Sequence, residues 1–78
     1  MSLLPIAVSV KSIILTGTAA IVVFKEYPKT QYLAQYSYPG YSSIYAMLMG
    51  AAAKQLPLND VEVSDDGTNS IQMISLNF

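Results

Sequence analysis

Cysteine, histidine, tryptophan and arginine are all absent from this chain, and each absence removes a class of chemistry. Without cysteine there is no disulfide, no thiolate nucleophile and no thiolate-bound zinc. Without histidine the commonest general base near neutral pH is gone. Without arginine, Lys11, Lys25, Lys29 and Lys54 are the whole cationic supply, and the net charge is -1. Neutralising a phosphate backbone takes several clustered cations, so electrostatics argue against nucleic acid as a partner. Charge of either sign is scarce, at 12% of residues where an average soluble domain carries roughly 25%. Lack of cysteine suits a reducing cytoplasm, which is slightly preferred, but an oxidising compartment would tolerate it equally.

What is present is apolar: 53% of the 78 residues are hydrophobic. A chain of this length forms one small domain, whose stability is marginal unless something outside its own core contributes. With disulfides and thiolate metal sites excluded, association is the remaining support. The sequence therefore points to a homo-oligomer or to another protein chain as partner, with a membrane as the less favoured option.

Residues 3–24, LLPIAVSVKSIILTGTAAIVVF, hold a single charge and are long enough to cross a hydrocarbon core that needs about 20 residues. Lys11, Pro5, Gly17 and four serine or threonine side chains interrupt them, however. The same residues make a better pair of strands. Ile6, Val8 and Val10 alternate with Ala7, Ser9 and Lys11, and Ile13 to Leu15 continue after a phase slip near Ser12, as at a bulge. Thr16-Gly17-Thr18 reads as a tight turn, and the β-branched run Ala19 to Phe24 as the second strand. The opening MSLLP has no basic region of the kind that begins a secretory leader.

A second hairpin turn is expected at Glu26-Tyr27-Pro28-Lys29. A third strand follows over residues 30–38, with Tyr32, Ala34, Tyr36 and Tyr38 along one face. Pro39-Gly40 ends it, and Ser42 or Ser43 is placed to cap a helix over residues 44–55. That helix is apolar nearly all round, which predicts burial on more than one side. Leu56-Pro57 stops it. Val61 to Ser64 alternate as a fourth strand, and Asp65-Asp66-Gly67-Thr68-Asn69 supplies a turn. The final segment, SIQMISLNF, sets Ile74, Leu76 and Phe78 on one face, with Ile71 restored to it by a bulge near Gln72 or Met73. The expectation is an α+β domain over residues 1–78: a small antiparallel sheet of about five strands with one helix between strands 3 and 4. Its element order matches a partly open barrel of the oligonucleotide and oligosaccharide binding type, an OB-like fold; order alone does not specify a ligand.

No catalytic, cofactor-binding or metal-binding residue can be named. Asp65 and Asp66 fit a solvated turn, and Glu62 fits the wet face of its strand. Asp60, Glu62, Asp65, Asp66 and Asn69 do not have the spacing of a calcium loop. The enzyme class is therefore set aside, with no cofactor expected. The sharpest feature is the tyrosines, all but one of which fall between residues 32 and 45. Tyrosine brings large apolar area at low entropic cost and keeps a hydroxyl for hydrogen bonding. Tyr32, Tyr36, Tyr38, Tyr41 and Tyr45, with Leu48 and Met49 on the helix, are the expected interface or ligand-binding residues. The favoured reading is a noncatalytic structural or interaction subunit that self-associates through the helix and the tyrosine-rich segment. The alternatives are a module that binds single-stranded nucleic acid or a glycan in a tyrosine-lined groove, and a single-span membrane accessory subunit.

Overall fold

The computed structural model describes residues 2–75. Strands β1 (Ser2–Leu3), β2 (Val10–Leu15), β3 (Ala19–Phe24) and β4 (Tyr27–Gln35) lead into helix α1 (Tyr41–Lys54), which is followed by β5 (Asp60–Val63) and β6 (Ile71–Ser75). They form two three-stranded antiparallel sheets, ordered β2-β3-β4 and β1-β5-β6. The expected α+β class and the helix between the third and fourth long strands are present. The expected single sheet of about five strands is instead two sheets of three, which do not close into a barrel. They meet at two single bridges, an antiparallel one between Val8 and Leu58 and a parallel one between Leu33 and Ser70.

Residues 3–24, long enough for a membrane span, fold instead as β1, β2 and β3, and no helix among the described residues is long and apolar enough to cross a membrane. The β2–β3 hairpin turns at Thr16-Gly17-Thr18 as the sequence predicts. The Thr16 amide donates to the Ala19 carbonyl at 2.9 Å, and the Thr16 hydroxyl accepts the Ala19 amide at 3.2 Å. The expected bulge in β2 is found between Val10 and Ser12, so the displaced residue is Lys11 itself. A cation at a bulge keeps its amine in water without disturbing the apolar faces on either side.

Several boundaries differ from expectation. The first strand, expected from Ile6, begins at Val10, and β1 has no counterpart in the sequence pattern. The β3–β4 turn is the dipeptide Lys25-Glu26, with Phe24 paired to Tyr27, and β4 already runs through Pro28. Proline has no amide to donate, and it sits within a register irregularity where Val23 alone lies opposite residues 28–31. The hairpin tip is tied down: the Glu26 carboxylate accepts the Ser9 amide at 2.7 Å, and the Lys25 amide donates to the Ser9 carbonyl at 2.8 Å. At its far end β4 stops at Gln35, so the four-residue face expected of Tyr32, Ala34, Tyr36 and Tyr38 holds only for Tyr32 and Ala34, both buried.

Helix α1 begins at Tyr41, three residues earlier than the sequence pattern suggests, with Gly40 at its cap position and no side-chain cap. Ser42 and Ser43 lie inside the first turn and do not cap it. The helix closes through Gln55 in the left-handed region, φ 55°, with the Leu56 amide donating to Ala51 and the Gln55 amide to Ala52. This is the Schellman arrangement, and Pro57 follows where the helix could not continue.

The core is a single cluster between the sheets and α1. Phe24, Leu48, Leu58, Ile71, Val8, Val22 and Val61 are its largest fully buried side chains. In β6 the register slips so that Val63 pairs with Ile71 and Glu62 with Met73, leaving Gln72 as the extra residue. That slip buries both Ile71 and Ile74, as the out-of-phase pattern required. The predicted positions of Leu76 and Phe78 lie outside the described residues.

Candidate functional site

The tyrosines divide into two groups with different environments. Tyr32, on the inner face of β4, is only 5% exposed and packs against Phe24 with ring centroids 5.3 Å apart and against Tyr27 at 6.5 Å. Burial, and then the neighbouring Tyr27, push its phenol above the usual tyrosine range. Leu48 is fully buried on the inner face of α1. These two of the seven expected interface residues are core side chains and do not reach the surface. Tyr38 is half-buried, and its hydroxyl donates to the Gln72 carbonyl at 3.1 Å, tying the connector before α1 to β6.

The second group lies where β4 gives way to the helix. Tyr36 is the first residue past β4, Tyr41 the first of α1, and Tyr45 one helical turn further. Side chains four apart on a helix lie over one another, and the rings of Tyr41 and Tyr45 stack at 5.7 Å with an interplanar angle of 24°. Tyr36 meets Tyr41 edge to face at 5.0 Å. Its hydroxyl donates to the Thr16 carbonyl at 2.5 Å and its amide to the Thr18 carbonyl at 3.2 Å, so the cluster is locked onto the β2–β3 turn. Tyr41 titrates above the usual range because of desolvation first and its two neighbouring phenols second. The arrangement is a three-ring surface, with Tyr41 and Tyr45 half-buried, that can stack on a flat apolar or aromatic group and accept or donate at its phenols.

Exposed apolar side chains adjoin this cluster, alongside the exposed hydroxyl residues Thr16, Thr18, Ser42 and Ser43. Leu15, adjoining Thr16, is 60% exposed and Ile14 is 55% exposed. Met49 is 45% exposed on a face of α1 that also presents Ala46, Gly50 and Ala53. The helix carries no charge before Lys54. The expected all-round burial of α1 is therefore only half met: Ile44, Leu48 and Ala51 are covered by the chain itself, and the opposite face is open. Exposed Ile14 and Leu15 escaped the sequence reading because strand alternation alone does not say which strand is left at a sheet margin.

The acidic residues play a local part. The Asp66 carboxylate accepts from the Thr68 hydroxyl at 2.6 Å, the Ser64 hydroxyl at 2.7 Å and the Thr68 amide at 3.0 Å. These bonds, the Thr68 hydroxyl first, hold its pKa down at about 2. The Ser2 hydroxyl donates to Asp65 from the end of β1. Among the described residues, no group of three or more acidic side chains is arranged to hold a metal ion. Comparison with protein-family models, curated proteins and solved structures finds no match to this chain. Fold and surface together define a small α+β domain of two antiparallel sheets and one helix, with a tyrosine cluster on its surface.

Proposed function

We propose that this chain is a noncatalytic interaction subunit that self-associates through the surface formed by Tyr36, Tyr41, Tyr45 and Met49. The observation that carries the reading is the open face of α1 beside the tyrosine cluster. Ala46, Met49, Gly50 and Ala53 are exposed on a helix with no charge before its last turn. A solvated helix face ordinarily carries charged or polar side chains, and aromatic residues and methionine are enriched where proteins meet. A closed symmetric oligomer would remove this area from water. The test is the mass of the untagged chain in detergent-free buffer, by size-exclusion chromatography with light scattering over a tenfold dilution. A stable multiple of 8.5 kDa is the expected result, and a monomer throughout would overturn it.

A second reading is a binding module on an open, OB-like arrangement. It is favoured by the parallel Leu33–Ser70 and antiparallel Val8–Leu58 bridges, which link the two sheets without closing them, as a partly open barrel would leave them. Its ligand would stack on the three surface rings, and a glycan suits the scarcity of cations better than a nucleic acid does. Quenching of tyrosine fluorescence by an oligosaccharide series, absent for the Tyr41→Ala variant, would favour this reading over the first.

A further inference from the structure

We propose that two copies of this chain pair edge to edge through β2, antiparallel, with Ile14 opposite Ile14 at the two-fold axis. The inference rests on the self-association reading and names the element that specifies it.

β2 is a margin of its sheet, and Val10–Leu15 pair only with β3. The Thr16 amide bonds the Ala19 carbonyl across the hairpin. Hydrogen-bonded pairs alternate along an antiparallel ladder, so the backbone groups of Ile14 and Ser12 face β3, while those of Ile13 and Leu15 face outward. A row of alternating amides and carbonyls is matched by another extended backbone and by little else. That makes the occupant a strand.

The other described margins are blunted. β1 has two residues, β4 carries Pro28 and Lys29 in an irregular stretch and is bridged at Leu33, and β6 is interrupted by the Gln72 bulge. In β2 the bulge and Lys11 guard only the N-terminal half. The C-terminal half, Ile13 to Leu15, has no charge, proline or bulge, and its Ile14 and Leu15 side chains are more than half exposed.

Symmetry then selects the register. A two-fold axis normal to a continuous sheet must pass a residue opposite its own copy, because side chains facing each other across an antiparallel pair share one face. Centring on Ile13 sets Lys11 against Leu15 and runs the pair through the bulge. Centring on Ile14 sets Ile13 against Leu15 on the inner face and Ser12 against Thr16 on the outer, and moves Lys11 beyond the paired stretch to Gly17. In that register the outward groups of Ile13 and Leu15 bond reciprocally, and no like charges meet. Two strands alone cover far less than the roughly 1,600 Å² of a standard interface. The Tyr36–Tyr41–Tyr45 cluster, fastened to Thr16 at the end of this stretch, extends the same surface.

The chain has no cysteine, so Ile14→Cys introduces a single thiol. A non-hydrogen-bonded pair has Cα atoms about 4.5 Å apart, within the range a disulfide spans. Mild oxidation of this variant is expected to give a covalent dimer that dithiothreitol reverses, while Lys29→Cys, exposed on the opposite margin of the same sheet, stays uncrosslinked. In a second arm, Ile14→Lys and Ile14→Glu are each expected to be folded monomers by circular dichroism and light scattering, and their mixture to recover twice the monomer mass. If the wild type is a multimer yet Ile14→Cys does not crosslink and Ile14→Lys keeps its mass, the β2 pairing is wrong and the self-association reading stands. A wild-type monomer at every concentration overturns both.

Discussion

Asp66 shows how one side chain can organise a turn. Its carboxylate collects donors from Ser64 and Thr68 while Gly67 and Asn69 take the left-handed backbone the turn needs, at φ 86° and 56°. The folded pKa, about 2, lies below the ordinary value of 3.8. A depressed carboxylate stabilises the fold fully above its unfolded pKa, and that contribution is lost as pH falls through the folded one. The melting temperature of Asp66→Asn should therefore fall short of wild type at pH 5, with the gap closing as pH is lowered toward 2 in parallel thermal melts. Phe24 makes the opposite kind of contribution, being fully buried and packed against Tyr32 with the rings tilted at 45°. Phe24→Ala should cost about 3–5 kcal/mol, a large share of the roughly 5–15 kcal/mol available to a domain. Urea unfolding followed by circular dichroism would measure it.

At the level of the element, α1 carries a residue that its own fold does not explain. A Cβ placed on Gly50 would meet nothing within 4 Å, and glycine in a helix interior costs roughly 0.8–1.0 kcal/mol relative to alanine. Gly50→Ala should raise the unfolding free energy by about that amount when denaturation is measured at concentrations where the chain is monomeric. A smaller gain at concentrations where the chain associates would mean that the added methyl meets a partner. β2 presents the matching question in a strand, since its exposed Ile14 and Leu15 do nothing for the core. Replacing Ile14 with threonine, which keeps the β-branched shape, should leave the melting temperature of the monomer nearly unchanged and weaken association in dilution light scattering.

For the whole molecule, the radius of gyration is 11.1 Å, close to the roughly 11.5 Å of a compact chain this long. The described core is closed by this chain's own residues, with no buried side-chain polar atom lacking a partner. Composition points to association as the support a domain this small lacks. The tertiary structure moves the excess apolar area to the outside, onto β2 and α1. An association built on that area rather than on ion pairs should respond weakly to ionic strength, because screening acts on charges. Sedimentation between low and physiological salt should give dissociation constants within a few-fold of each other; a steep salt dependence would point to Lys11 or Lys54 as contacts.

Local pattern determined the class of this protein. Period-two alternation, turn residues at Gly17 and Asp66-Gly67, and the alanine-rich run before Pro57 reflect short-range sterics and burial, so the longer strands, the single helix and even the Gln72 bulge were legible in one dimension, whereas β1 was not. The absence of cysteine and histidine likewise narrowed the chemistry before any coordinates. Only the tertiary structure decided which tyrosines are core and which are surface. Tyr32 and Tyr36 are the same residue type four positions apart, separated by the end of β4, which a periodic pattern continued too far. It also decided that the sheets remain separate and that β2 lies at a margin, because pairing between distant segments depends on how the whole chain packs, and no local propensity encodes it.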